Sequence, residues 1–264
     1  MANLQLHSLF NPSEQSPYNP CQCLTCGAET TSTLCLSCER GLYRQGNYCP
    51  RCAETTPTEN SICGACIETS SAINTTQVAF NYQFPVDQLI NKFKHQRDLR
   101  CANALLQAAI PIFTQSTLPQ ALIPVPLHWR RQLFRGFNQA DVIAKELGRI
   151  LNIPVLPVCR RKESGKTQQG LSRKQRMQNL RSSFSLKNDH LLQDIDHVAI
   201  VDDVVTTGAT GERIAQLLKR YGIKHVDIWA LAKTLATNPL PQNESNSGTL
   251  ESALKQENAL LVCD

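Results

Sequence analysis

Long apolar stretches are missing from this 264-residue chain. No run reaches the roughly 18 consecutive apolar residues that a membrane-spanning helix needs. The first twenty residues, Met1 to Pro20, have no basic segment followed by an apolar core, so the sequence predicts no secretory signal. Together these absences predict a soluble, cytoplasmic protein held in a reducing compartment. The dinucleotide fingerprint G-x-G-x-x-G is also absent. Ser164-Gly165-Lys166-Thr167 has only the ending of a P-loop: Arg160 stands where the first glycine belongs, and no buried strand leads into it. What remains, 41% hydrophobic and 19% charged, suits one mid-sized globular domain with something smaller attached.

Cysteine is present but unevenly placed. Nine of the 12 lie between Cys21 and Cys66, leaving Cys101, Cys159 and Cys263 elsewhere. Residues 21–67 have no long apolar runs, and a segment that small cannot build a sufficient core without a staple. In a reducing compartment, clustered cysteines indicate metal rather than disulfides. Four C-x-x-C pairs occur in series: Cys23/Cys26, Cys35/Cys38, Cys49/Cys52 and Cys63/Cys66. Each such turn directs two thiolates at one tetrahedral centre, so eight ligands suit two Zn²⁺ ions. Consecutive pairing is the favoured arrangement, with a cross-braced one as the alternative; Cys21 is the odd thiol, with replacement of Cys23 as its other reading. No histidine stands at a ligand position, so the ions are expected to be closed and structural.

Charge is uneven as well. Residues 1–67 carry 3 Lys and Arg against 5 Asp and Glu, net −2; residues 68–234 carry 23 against 13, net +10; residues 235–264 carry 1 against 4, net −3. The basic middle region should therefore meet an anion: a phosphate, a pyrophosphate or a nucleic acid. Its hydrophobic pattern alternates between periods. A helical pattern starts at Val86 and runs through Leu105 and Ile110 to Pro111. A short buried strand follows at Ala121–Val125, then a helix over about Gln139–Leu151. Val198–Val201 and Val226–Leu231 are further buried strands, separated by a helix carrying Ile214, Leu217 and Leu218 and ended by Gly222. Strands alternating with helices predict a mostly parallel α/β sheet. The polar stretch beyond Thr234 predicts a disordered acidic tail over residues 235–264.

The sharpest signal is the segment Val198–Gly211. A hydrophobic strand ends in Asp202 and Asp203, and Thr206-Thr207-Gly208-Ala209-Thr210 then opens an amphipathic helix. Backbone N–H groups at a helix N-terminus form an anion pocket, and Gly208 permits close approach. Paired carboxylates are wrong for phosphate itself but suit vicinal hydroxyls or a divalent cation, and a phosphorylated ribose offers both. The segment resembles the phosphoribosyl pyrophosphate (PRPP) motif of type I phosphoribosyltransferases.

Two other segments have the chemistry to handle anions. Pro124-Val-Pro126-Leu-His-Trp-Arg130-Arg131-Gln-Leu-Phe-Arg135-Gly136-Phe137-Asn138-Gln139 follows a strand's C-terminal end, where α/β ligand sites lie. Its arginines, glycine and asparagine suit pyrophosphate. Residues 160–181 carry 8 Lys and Arg and a single acid, Glu163. So basic a block suits a lid over an anionic ligand or a nucleic-acid patch. It contains no aromatic residue before Phe184, so a base-stacking platform is not evident.

Over residues 21–234 the chain resembles the ComF family of bacteria, with its ComFC- and GntX-like members. The serial C-x-x-C pairs carry the resemblance, along with Tyr82-x-x-Pro85, Pro124-Val-Pro-Leu127, Arg135-Gly-Phe-Asn-Gln-Ala140, Gln168-x-x-Leu171, Arg176-x-x-Asn179 and the Asp202–Thr210 string. It implies a double zinc ribbon (residues 21–67) ahead of a type I phosphoribosyltransferase-like parallel sheet with flanking helices (72–234). It also implies that PRPP binds with Mg²⁺. Asp202 and Asp203 would meet the ribose hydroxyls and residues Thr206, Thr207, Gly208, Ala209 and Thr210 the 5′-phosphate, with Pro126 and Arg130 nearby. Arg135, Arg160 and Arg176 are the candidates to neutralise departing pyrophosphate beside Asp203. The implied activity is phosphoribosyl transfer to an unidentified nitrogen acceptor. The alternative is a non-catalytic PRPP sensor, or an accessory protein of DNA uptake that binds single-stranded DNA or a helicase-like partner.

Overall fold

The computed structural model describes residues 21–44, 46–127, 136–161 and 184–234. The expectations for segment 1–20, for Arg130, Arg135 and Arg176, for most of the basic block and for the acidic tail lie outside these residues.

The cysteine-rich segment folds as one small unit made twice. Strand β1 (Cys21–Gln22) pairs antiparallel with β2 (Glu29–Thr30), and helix α1 (Leu36–Arg40) follows. Strand β3 (Asn47–Tyr48) then pairs with β4 (Thr55–Thr56), and α2 (Gly64–Glu68) closes the second copy. Both helices start at a ligand cysteine, Cys35 or Cys63, in the same extended conformation (ψ 156°). Neither helix buries a residue; the buried apolar side chains of this region, Leu34, Leu42 and Ala53, lie outside them.

The rest is a three-layer α/β unit. Its sheet contains β5 (Thr75–Asn81), β6 (Ala121–Pro124), β9 (His197–Val205) and β10 (His225–Lys233), in the spatial order β5-β10-β9-β6 and all parallel. Successive side chains of a strand point to opposite faces, and the core divides accordingly. Ala199, Val201, Trp229 and Leu231 face α3 (Val86–Asn91), α4 (Leu99–Phe113) and α5 (Gln139–Leu151). Val198, Ile200, Val226 and Ile228 face α6 (Ala209–Tyr221) and its Ile214, Ala215 and Leu218. A Cβ at Gly211 would sit 2.3 Å from Ile228 Cδ1, so this glycine lets α6 lie close against β10.

Three local expectations need correction. The helical pattern from Val86 is not continuous: after α3 and a π-turn at Lys92–Gln96, Arg97 turns left-handed (φ 56°). Asp98 then caps α4 by accepting the Arg100 N–H. Periodicity alone ran through this break because Phe93 and Leu105 bury on the same side. Pro111 does not end the helix; it sits within the last turn of α4, which stops at Phe113. The strand beginning near Val198 does not stop at Val201 but runs to Val205, with both carboxylates inside it. The short hairpin of β7 (Cys159–Arg161) and β8 (Phe184–Leu186) went unread in the sequence.

The ribbons dock on the β5 edge of the sheet. Tyr43 bridges to Phe80, the Thr76 N–H donates to Pro50 O at 2.7 Å, and Tyr43 Oη donates to Ala108 O at 3.1 Å. The linker is tied to α6, with Ser71 Oγ and the Ala72 N–H both donating to the Glu212 carboxylate. No helix among the described residues is long and apolar enough to cross a membrane.

Candidate functional site

Strand β9 delivers the two acids to the C-terminal edge of the sheet. A Thr206-Thr207-Gly208 turn then opens α6, with Gly208 at its N-cap in a left-handed conformation (φ 73°). This is the backbone region that glycine enters without a Cβ penalty, and a Cβ there would meet nothing within 4 Å, so the turn faces open space. Asp202, Val204, Val205, Thr206, Thr207, Gly208, Ala209, Thr210 and Gly211, joined by Val125 at the end of β6, line one cavity of about 390 Å³, part of it open to solvent.

The acids are not equivalent. Burial, with the negative charge of Asp203 next to it, pushes Asp202 up to about 7, although the Asp203 N–H donates to Asp202 Oδ1 at 2.9 Å. Asp203 is instead paired with Lys94 Nζ at 2.9 Å, both side chains 15% exposed. Only Asp202 of the two lines the cavity, and Lys94 places a positive charge beside its neighbour. Sequence reading missed Lys94, which reaches the site from the π-turn between α3 and α4.

The Arg-Gly-Phe-Asn-Gln string has a structural part. Gly136 is left-handed (φ 77°), and a Cβ there would collide with the Arg97 guanidinium. Phe137 packs on Phe93 with ring centroids 5.5 Å apart. The Asn138 side chain, expected to suit pyrophosphate, donates to Val125 O at 2.9 Å instead, holding the start of α5 to the end of β6. Gln139 is buried. Pro126 is half-buried, one residue from cavity-lining Val125. Arg160 is exposed on β7, paired with Ser185 of β8; Phe184 of that hairpin packs into the core beneath α6. The hairpin thus packs on the α6 side of the sheet.

The eight cysteines gather into two groups, Cys23/Cys26/Cys35/Cys38 and Cys49/Cys52/Cys63/Cys66, with the sulfurs of each group within 4.8 Å of one another. The pairing is consecutive, not cross-braced. Sγ separations of 3.7 Å (Cys26–Cys35) and 3.5 Å (Cys52–Cys63) match the edge of about 3.8 Å that a tetrahedral zinc–thiolate centre requires. Burial opposes ionisation of Cys23, but N–H groups of Cys26, Cys35 and Thr25 outweigh it and bring the thiol down to about 6. Burial likewise opposes ionisation of Cys49, yet N–H groups of Cys63, Cys52 and Arg51 lower it to about 7. N–H donors around sulfur are what a bound thiolate needs. Both groups are able to hold zinc.

Comparison with known proteins agrees with this arrangement. A family model described as a phosphoribosyl transferase domain matches residues 135–255. Competence protein F of Haemophilus influenzae is 36% identical over 207 residues, covering 76% of this chain and 90% of that protein. The chain belongs to the ComF family. Other relatives are the DNA utilization protein YhgH of Escherichia coli, 33% identical (76% of this chain, 91% of that protein), and competence protein ComFC of Bacillus subtilis, 26% identical (72% and 79%). As a ComF protein the chain has a type I phosphoribosyltransferase-like sheet behind two four-cysteine clusters. A purine phosphoribosyltransferase from Pyrococcus horikoshii covers 65% of this chain and 99% of its own at 17% identity, with a TM-score of 0.29. That likeness is too distant to bear on the site.

Proposed function

We propose that this ComF protein binds PRPP and transfers its phosphoribosyl group to a nitrogen nucleophile, releasing pyrophosphate. The observation that supports the reading best is that one cavity joins Asp202 to the Thr206–Thr210 turn at the N-terminus of α6. In this reading Thr206, Thr207, Gly208, Ala209 and Thr210 hold the 5′-phosphate through backbone N–H groups and hydroxyls. Asp202 and Asp203 accept hydrogen bonds from the ribose hydroxyls. The Lys94 ammonium, 2.9 Å from Asp203, holds that carboxylate in place until the sugar arrives. Displacement at the anomeric carbon develops positive charge on the ribose and negative charge on the leaving group. Catalysis therefore rests on positioning and charge stabilisation rather than on a protein nucleophile. Arg135, Arg160 and Arg176 are assigned to the departing pyrophosphate, with Pro126 and Arg130 beside it. A Mg²⁺ ion arriving with PRPP would neutralise pyrophosphate charge, and paired hard-oxygen ligands such as Asp202 and Asp203 fit such an ion. Incubating the zinc-loaded protein with PRPP, Mg²⁺ and a panel of nucleobases tests turnover. Pyrophosphate release with one acceptor is the expected result, and release with none rules against an enzyme.

A second reading, a DNA-uptake accessory that binds single-stranded DNA or a helicase-like partner, is favoured by the +10 charge of residues 68–234 and the basic block at 160–181. It predicts DNA affinity that falls steeply with salt. Affinity independent of salt would rule it out.

A further inference from the structure

The phosphate turn does not rest on the sheet alone. At the C-terminal end of β10, Lys233 is 3% exposed, and its ammonium makes two contacts: it pairs with Glu54 Oε1 at 2.6 Å and donates to Thr206 O at 2.8 Å. Glu54 belongs to the second ribbon, two residues beyond Cys52, and its own carbonyl accepts the Cys49 N–H at 2.8 Å, closing the cysteine turn. A second link runs alongside. Lys233 lies opposite Asn81 of β5, whose Oδ1 accepts from Arg44 Nε at 2.9 Å, while Arg44 Nη2 donates to Ala53 O at 2.7 Å. The cysteine turn is therefore pinned to the sheet edge from which the phosphate turn departs.

We propose that Lys233 is a positioning residue for the phosphate turn and that Glu54, carried by the second ribbon, sets its orientation. This rests on the PRPP reading above and extends it. The mechanism follows from peptide geometry. In a planar trans peptide, C=O and N–H point in opposite directions. By holding the Thr206 carbonyl, Lys233 turns the Thr207 N–H to the far side, and Thr207 lines the cavity. The buried ammonium also places a positive charge beneath a site that must receive a dianion, and a partly desolvated charge is screened little by salt. Glu54 keeps that ammonium from swinging out to solvent. The ribbon thus contributes to the site through a carboxylate as well as through its bulk.

The test is calorimetric titration of the zinc-loaded full chain with ribose 5-phosphate, with PRPP and Mg²⁺, and with pyrophosphate and Mg²⁺. Lys233→Met should weaken ribose 5-phosphate binding by about tenfold, the scale of one charged hydrogen bond, and leave pyrophosphate binding within about twofold. Lys233→Arg should restore most of the loss, which a merely structural role would not require. Should Lys233→Met fail to fold, Glu54→Gln decides: it leaves Lys233 in place and the eight cysteines untouched. It should retain two zinc ions by metal analysis and still weaken ribose 5-phosphate by about threefold or more. Wild-type-like ribose 5-phosphate affinity in Glu54→Gln and in any folded Lys233→Met overturns the proposal. If the wild type itself binds neither ribose 5-phosphate nor PRPP, the PRPP reading has failed, and the proposal built on it falls too.

Discussion

The two regions of this chain are held by different forces. In the sheet region, Trp229, Phe80, Phe93, Phe113, Leu122 and Ile123 are among the largest fully buried side chains. There the fold follows from apolar burial on both faces of four strands. In the ribbons, neither helix buries a residue, each strand is two residues long, and the sulfurs converge in groups of four. There the fold follows from ligand geometry. The ribbons nonetheless lean on the sheet, with Leu34, Leu42 and Cys23 packing into the core cluster of α3 and α4. Metal-held and core-held regions should thus fail separately, with the damage meeting at Lys233.

The largest expected effect is metal removal. Structural zinc binds with roughly 10 kcal/mol or more, so a strong chelator should expose residues 21–68 to proteolysis while the α/β circular dichroism of the sheet persists. Global loss of that signal at the same chelator concentration would break the comparison. Next comes the core. Trp229 stacks on Phe113 with centroids 4.9 Å apart, and Trp229→Ala should cost about 3–5 kcal/mol in urea denaturation with both zinc ions retained until unfolding. A loss below about 1 kcal/mol would mean that the core is not what holds this half. The smallest is a pH effect at the site. Because the folded-state pKa of Asp202 is raised to about 7 from 3.8, the folded state binds more protons than the unfolded chain between these values. Apo stability should therefore fall as pH rises through that window and level off above it. Asp202→Asn should remove this slope and be more stable at pH 8 by on the order of 1 kcal/mol. An unchanged slope would place Asp202 in ordinary solvent.

What could be read in advance follows the same division. The C-x-x-C pairs and the Asp202–Thr210 string are local: ligand spacing and strand–turn–helix chemistry lie within a few residues, so sequence displays them directly. The buried runs at Val198 and Val226 are equally legible, because strands covered on both faces are continuously apolar. Strand β5 was missed because Thr75, Thr76 and Gln77 interrupt its apolar pattern where the ribbons cover it. The hairpin of β7 and β8 has three residues per strand, separated by residues 162–183. Lys94, Glu54 and Lys233 act across the fold, and no spacing rule connects Lys94 with Asp203 or Glu54 with Lys233. The break at Arg97 carried a local signal, the Asp98 cap, that continuous periodicity hid.

The central claim is that the turn after β9 is a PRPP site. Calorimetry of the zinc-loaded protein with PRPP and Mg²⁺, beside the Asp202→Asn/Asp203→Asn double variant, tests it most directly. One saturable site in the wild type, weakened about a hundredfold in the variant, is the predicted result. Equal affinity in both proteins, or no binding by folded wild type, would contradict it.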